Sequence, residues 1–291
     1  MMAITRLLPT SIFDFSFFPD FQGALAKLAS TAMPESWHYR NPKHEVFGKC
    51  APVLERYILN TYKANAIAYN EAAEESEKNR HFAFEEGWAC FNTGLITPLR
   101  ENIYALFSIN NMQNRTTEWY FKGFWNESAR CVENIKKLPQ KIAFDQSQMI
   151  FHPDWEIRIN YRHILEDNVL RLPEEIRMTR YAPLLIKGST EYARELARVE
   201  PSVVAPQFYD GKVHFLLPLH LTDMNRYDVA MSLVPNDGFY IGCTILPLSH
   251  AYSNARILGR PSARWLLELV ENGSSGGWNE PRFEYGGMPY I

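Results

Sequence analysis

The chain lacks any close pairing of its cysteines: Cys50, Cys90, Cys131 and Cys243 stand forty or more positions apart, and no C-x-x-C occurs. That spacing supports neither a zinc knuckle nor a redox motif, and buried free thiols are expected. Long apolar runs are also missing. Nothing approaches the roughly 18 unbroken apolar residues of a transmembrane helix, so no membrane partner is expected. The opening stretch, residues 1–21, is apolar but broken by Pro9, Asp14 and Pro19, with no small-x-small cleavage pattern after it. It reads as an arm that docks Ile12, Phe13, Phe15, Phe17, Phe18 and Phe21 onto the rest of the chain, and not as a signal peptide. With no export signal and no disulfide pattern, a cytoplasmic location is expected. Neither sign of charge dominates: 30 Lys and Arg against 33 Asp and Glu give a net charge of -3. There is therefore no global pull towards nucleic acid or anionic membrane, although a local basic pocket is compatible with this balance. G-x-G-x-x-G, the Walker loop, G-x-S-x-G and H-E-x-x-H are all absent, which removes the common nucleotide hydrolases and dehydrogenases as first choices, though not every unusual site.

What is present is core-forming material. A hydrophobic share of 46% with 14% aromatics predicts a well-filled interior, and no internal repeat or composition break divides the chain. The expectation is an α+β single domain, a mostly antiparallel sheet of hairpins flanked by helices. An arm would occupy residues 1–32, the domain 33–271 and a Gly/Ser/Pro-rich tail 272–291.

Leu54, Tyr57, Ile58 and Tyr62 recur at helical spacing and predict an amphipathic helix over 52–68, with Glu71, Glu74, Glu75 and Glu77 as its solvated end or a loop. Residues 88–110 read as a strand, a turn, then a short helix or second strand. Aromatic runs at 119–125 and 141–144 suit strands. A hairpin is expected between 148–151 and 156–160, turning at His152-Pro153-Asp154, with Ile157 and Ile159 on one face. Ser189 is placed as the cap of a helix burying Tyr192, Leu196 and Val199, with Arg194 and Arg198 on the other flank. Residues 213–221 form a strand, and 228–234 pairs with 239–246 through Pro235-Asn236-Asp237-Gly238. Ser249 caps the last clear helix, through Tyr252, Asn254 and Arg256.

The histidines form no strong metal constellation. His214 and His220 share a strand face, but six strand residues span roughly 20 Å, too far for two ligands about 2 Å from one ion. No metal site is expected, and the residues specify no cofactor. Polar groups set in apolar or turn-rich surroundings are the better candidates, because a buried polar side chain without a partner costs about 1–3 kcal/mol. They are Asn92, Thr93, Lys122, Arg158, Asn168, Tyr252, Asn254 and Arg256. Local readings compete with each: Asn92-Thr93-Gly94 as an Asx turn with Gly at positive φ, Lys122 as an exposed strand residue, Asn168 as a turn cap. Arg256 and Arg260, four apart, can clamp a phosphate or pair with nearby carboxylates. His163 with Glu166 or Asp167 can act as acid and base, or form a structural pair. Trp37, Tyr39, Trp119, Tyr120, Trp125 and Tyr252 offer a stacking platform or fill the core.

The motifs Met33-Pro34-Glu35-Ser36-Trp37, Phe91-Asn92-Thr93-Gly94-Leu95 and Ala251-Tyr252-Ser253-Asn254-Ala255-Arg256 stand in order along the chain. Between them fall Phe121-Lys122-Gly123-Phe124, His163-Ile164-Leu165-Glu166-Asp167-Asn168, Pro206-Gln207-Phe208-Tyr209 and Leu216-Leu217-Pro218-Leu219. In this series, over about residues 33–267, the chain resembles the bacterial family DUF3825, a family without an assigned function. The resemblance implies a hint of RNA or nucleotide chemistry, because relatives occur fused to small RNA-binding modules. It also implies basic residues shortly before Pro206-Gln207, where this chain has Glu200 to Ala205; Arg194 and Arg198 are expected to compensate. The expected function is to hold a phosphorylated nucleotide or an RNA end in one polar cleft where these motifs converge. The alternatives are a metal-independent hydrolase or transferase acting on a nucleotide or RNA phosphodiester, and a protein-interaction domain without a small ligand.

Overall fold

The computed structural model describes residues 7–40, 51–113 and 116–270. Cys50 and the 272–291 tail lie outside them. Ile12–Phe15 forms a one-turn helix α1 that runs into the short strand β1, Ser16–Phe17. Helix α2, Phe21–Thr31, follows, with the Asp20 side chain accepting from the Gly23 amide at 2.8 Å. Ile12 and Phe15 are buried, Phe18 and Phe21 lie half-buried against the same core, and Phe13 and Phe17 are exposed. A one-turn helix and a two-residue strand cannot point every aromatic side chain the same way. The arm residues share their core with the rest of the chain.

Helix α3, Pro52–Glu71, starts on a proline and buries Leu54, Tyr57, Ile58 and Tyr62 as the spacing predicts. The acidic stretch beyond it enters a second short helix, α4, Glu75–His81. Strands β2 (Ala83–Glu85), β3 (Trp88–Ile96), β4 (Asn102–Ile109) and β5 (Trp119–Asn126) complete the first sheet, in the order β1-β5-β4-β3-β2. All its pairs are antiparallel except β1 with β5. Register puts Ala89 opposite Phe107 and Phe91 opposite Ala105 on the face that meets α3, where the Tyr62 and Phe91 rings lie 5.7 Å apart. Cys90, Tyr104 and Leu106 point the other way, into a small separate core closed by Val132 and Ile135.

The second sheet is built from β6 (Glu156–Ile159), β7 (Ala205–Tyr209), β8 (Lys212–Leu219), β9 (Val229–Asn236) and β10 (Phe239–Pro247), in the order β6-β10-β9-β8-β7. The β9–β10 hairpin turns at Asp237-Gly238, with Gly238 at φ 74°. The expected 148–160 hairpin is not formed. Gln146–Met149 is a 3₁₀ turn, and β6 pairs in parallel with β10. Local alternation gave the facing of Ile157 correctly, but a parallel partner some eighty positions away leaves no local trace. Residues 141–144 likewise take no strand conformation.

Glu174–Arg177 is a short helix α5, and Ala182–Val199 is helix α6 on the outer face of the second sheet. Ser189 lies in the middle of α6 and caps nothing. Its buried stripe is Ala182, Ile186, Ser189, Thr190, Ala193 and Ala197, while Tyr192 is half exposed and Val199 almost fully so. Small side chains bring this helix close to the sheet, so side-chain size misidentifies the inner face. Helix α7, Leu248–Leu258, has Pro247 and not Ser249 at its cap position, and α8 spans Arg264–Leu267. Helix α7 lies on the inner face of the second sheet and packs on α3, which in turn packs on the first sheet. The fold is thus α+β, two mostly antiparallel sheets joined through α3 and α7. Among the described residues, no helix is long and apolar enough to cross a membrane.

Candidate functional site

Where α3 and α7 leave the second sheet uncovered, a cleft of about 740 Å³ opens. Strand parity supplies its floor. Gln207 and Tyr209 of β7 face it, as do Lys212 and His214 of β8, while Val213 and Phe215 point to the other side, where Phe215 meets the Phe151 and Tyr240 rings. Ser232 and Val234 of β9 continue the floor. A register shift between Gly242 and Thr244 in β10 turns both Cys243 and Thr244 towards the cleft. The walls come from Arg56 and Asn60 of α3, one turn apart, from His250, Ser253 and Asn254 of α7, and from His163, Asn168 and Arg171 in the turns after β6.

The floor is held by a buried amide relay. Asn254 Nδ2 donates to Gln207 Oε1 at 3.0 Å, and Gln207 Nε2 donates to Ser232 Oγ at 2.7 Å. The charge is one-sided. Arg171 Nη1 donates to Thr244 Oγ1 and the Ile245 carbonyl, at 3.1 and 3.2 Å, and no carboxylate partners Arg56, Arg171 or Lys212 among the described residues. The carboxylate lining the cleft, Asp210, pairs with Lys63 at 3.2 Å. Burial, with the charges of Arg56 and Arg171 adding to it, holds His250 down at about 4. Burial also lowers His214, reinforced by Lys212 and opposed by Asp210. Both imidazoles are therefore biased towards the neutral form, while burial raises the Cys243 thiol and keeps it protonated.

His163 lies in a π-helical turn, His163–Asp167, and both of its ring nitrogens are engaged. Asn168 Nδ2 lies 3.0 Å from the His163 carbonyl and 2.9 Å from Nε2. Because a carbonyl only accepts, the amide must present its NH₂ here, so Nε2 accepts and Nδ1–H donates to Asp167 Oδ2 at 2.9 Å. Work as an acid or base would require Asn168 to leave. Glu166 points instead to Arg162, at 3.3 Å.

Of the eleven residues singled out in the sequence, His163, Asn168 and Asn254 line this cleft. Asp167 stands behind His163, and Glu166 is exposed. The others do not converge there. Arg256 makes a two-point contact with Glu35, its Nη2 at 2.8 Å from Oε2, with its guanidinium 4.6 Å from the Tyr57 ring. Arg260 adds Nε to the same carboxylate at 3.3 Å, so the expected phosphate clamp is already filled by Glu35. Tyr252 is buried edge-on to Tyr39 and pushed up to about 12, chiefly by burial. Lys122 is exposed beside the Tyr120 ring on the first sheet, and Arg158 lies over Phe239 and pairs with Glu156. Arg194 pairs with Glu191, and Arg198 with Glu195 and Asp154, so neither supplies the cleft with charge.

Asn92 and Thr93 spend their polar atoms on backbone. Asn92 Oδ1 accepts from the Gly94 amide at 2.8 Å, and Thr93 Oγ1 donates to the Ile103 carbonyl at 2.6 Å. Tyr57 Oη donates to the Thr93 carbonyl at 2.8 Å. Gly94 has φ 73°, and a Cβ on it would lie 2.7 Å from Tyr57 Oη. Gly94→Ala is expected to cost about 1–3 kcal/mol in urea unfolding, from positive φ and contact together. Combining it with Tyr57→Phe relieves only the contact, so part of the loss should remain.

Three of the motifs therefore meet each other through Glu35, Tyr57 and Arg256, and the cleft lies beside that knot. Its own residues were largely missed: Arg56, Arg171, Lys212 and His250 are single basic residues with no local pattern. Gln207 and Tyr209 stand in one of the quoted motifs, and parity with Lys212 and His214 was a usable signal for a polar sheet face. Among the described residues, no three His, Cys, Asp or Glu side chains group so as to hold a metal ion.

Fold and site together define a two-sheet α+β protein with a cationic, amide-floored cleft. The chain belongs to the DUF3825 family, a domain of unknown function, whose model matches residues 28–265. No curated protein and no solved structure matches it.

Proposed function

We propose that the cleft binds a phosphorylated nucleotide or a phosphorylated RNA end. The observation that carries this reading is the presence of Arg56, Arg171 and Lys212 in one cleft without a carboxylate to neutralise them among the described residues. Arg56 is half-buried and Arg171 and Lys212 are exposed, so three cations gathered in one cleft repel one another, and a bound phosphate relieves that repulsion. The remaining features suit the rest of such a ligand. Asn254, Ser232 and Asn60 offer donors and acceptors for ribose or base edges, and Tyr209, 54% exposed at the rim, offers a ring face for stacking. The volume lies within the range of small-molecule sites. The net charge of -3 is no obstacle, since the field that matters is local.

The test is a thermal-shift screen of the whole chain against mononucleotides, dinucleotides and short RNA. A ligand at about a hundred times its Kd adds about 2.7 kcal/mol of stability. A shift that Lys212→Ala diminishes and the exposed Lys137→Ala leaves intact supports the reading. No shift with any of these ligands counts against it.

A further inference from the structure

Three groups capable of positive charge come together at one end of the cleft from three separate elements: Arg56 from α3, Arg171 from the turn after the π-helical segment, and His250 from the first turn of α7. The His250 ring has no hydrogen-bond partner among the described residues, and Arg171 uses only Nη1 on protein acceptors. Helix α3 fixes the direction of the site. Arg56 stands at this end, Asn60 lines the cleft one turn on, and Lys63 marks the far rim, where it pairs with Asp210 beside Tyr209. At 1.5 Å per residue, Arg56 to Lys63 is about 10 Å along the axis, roughly the length of a nucleotide from phosphate to base.

We propose that the corner formed by Arg56, His250 and Arg171 is a site for a terminal phosphate monoester, as opposed to an internal diester, and that His250 takes up a proton when the phosphate binds. This rests on the nucleotide reading above. A monoester dianion presents three non-bridging oxygens, one for each of the three groups, and its two negative charges cancel those of both guanidiniums. A diester has two such oxygens and one negative charge, which leaves one donor facing an ester oxygen and part of the positive charge uncompensated. Burial, with Arg56 and Arg171 adding to it, favours the neutral form of His250. A dianion cancels the two guanidinium charges and sets an anionic acceptor against the ring, so binding shifts His250 towards the imidazolium. The other titratable groups lining the cleft are His163, Tyr209, Asp210, Lys212, His214 and Cys243. Of the charged groups, Arg56 and Arg171 are the ones that act on His250. The sign follows: binding raises the affinity of His250 for a proton, so phosphate affinity increases as pH falls towards the second pKa of the phosphate itself, about 6, below which protonation of the dianion opposes it.

The experiment is titration calorimetry of the full chain with AMP, 3′,5′-cyclic AMP and inorganic phosphate, and with a short RNA carrying either a 5′-phosphate or a 5′-hydroxyl. Each is measured at pH 7.5 in buffers of different ionisation enthalpy. AMP should bind at least about tenfold more tightly than cyclic AMP, the value of one charge-assisted hydrogen bond, with a net uptake of protons. His250→Gln should abolish the uptake and weaken AMP towards the cyclic nucleotide, while His214→Gln keeps the uptake. Phosphorylated RNA matching AMP, and exceeding its hydroxyl form, would place the phosphate at a chain end. AMP alone showing the preference would make the ligand a free mononucleotide, whereas binding of inorganic phosphate alone would overturn both the monoester site and the nucleotide reading. Equal binding of AMP and cyclic AMP, or proton uptake that survives His250→Gln, overturns the inference and leaves the nucleotide reading standing. No binding of any nucleotide or RNA overturns both.

Discussion

Glu35→Ala should destabilise the protein by about 3–5 kcal/mol, the cost of removing one partner of a buried ion pair. Both side chains are less than a tenth exposed, and the carboxylate also receives Arg260. Its removal leaves a buried guanidinium, clasped between the Tyr57 and Trp37 rings, with no counter-charge. The pair itself is not the source of that loss. Replacing both partners, as Glu35→Leu with Arg256→Met, should recover most of the stability, because the desolvation penalty goes with the charges. Urea unfolding of the two single variants and the double variant measures this. A double variant as unstable as the sum of the singles would mean that packing, and not the uncompensated charge, is what Glu35 supplies.

The largest functional effect is expected from Arg56→Ala combined with Arg171→Ala, which should weaken a phosphorylated nucleotide by about a hundredfold or more. Each lost charge-assisted hydrogen bond is worth about 1.5–3 kcal/mol. Stability should fall by only about 1–2 kcal/mol, because neither arginine has a carboxylate partner among the described residues and the exposed Arg171 gives up only its bonds to Thr244 and the Ile245 carbonyl. Fluorescence anisotropy of a labelled nucleotide, alongside a urea melt of the same preparation, separates the two quantities. Undiminished affinity in the double variant would remove these arginines from the binding site.

The features legible in the sequence are those written within a short span. The helix over Pro52–Glu71 shows its period, the β9–β10 hairpin shows its Asp-Gly turn, and Gly94 shows its Asx turn. Those that escaped depend on distant pairing. Strand β6 finds its parallel partner in β10, and Arg256 finds Glu35 across 221 positions. The cleft is the extreme case. Among 30 Lys and Arg, nothing local separates Arg56, Arg171 and Lys212 from residues whose charges are already paired, such as Arg194 and Arg198. His163 and Asn168 were visible as a cluster, but only the geometry shows that each occupies the other. Family motifs point to a mixture of both kinds, since Glu35 and Arg256 serve the architecture and Gln207 and Asn254 serve the cleft floor.

Arg56 and Tyr57 are adjacent on α3, yet they face different parts of the molecule. Tyr57 is tied to Thr93 of the first sheet and lies against Arg256, whereas Arg56 forms a wall of the cleft over the second sheet. One helix thus carries an anchor and a cleft-lining cation on consecutive residues. The cleft wall cannot swing without drawing the anchor out of a buried ion-pair knot, a cost far above the energies available for routine breathing. On the proposed reading, the site is set before its ligand arrives. It has little entropy left to lose on binding, and its response to occupancy is expected as a change of protonation and electrostatic field, not of shape.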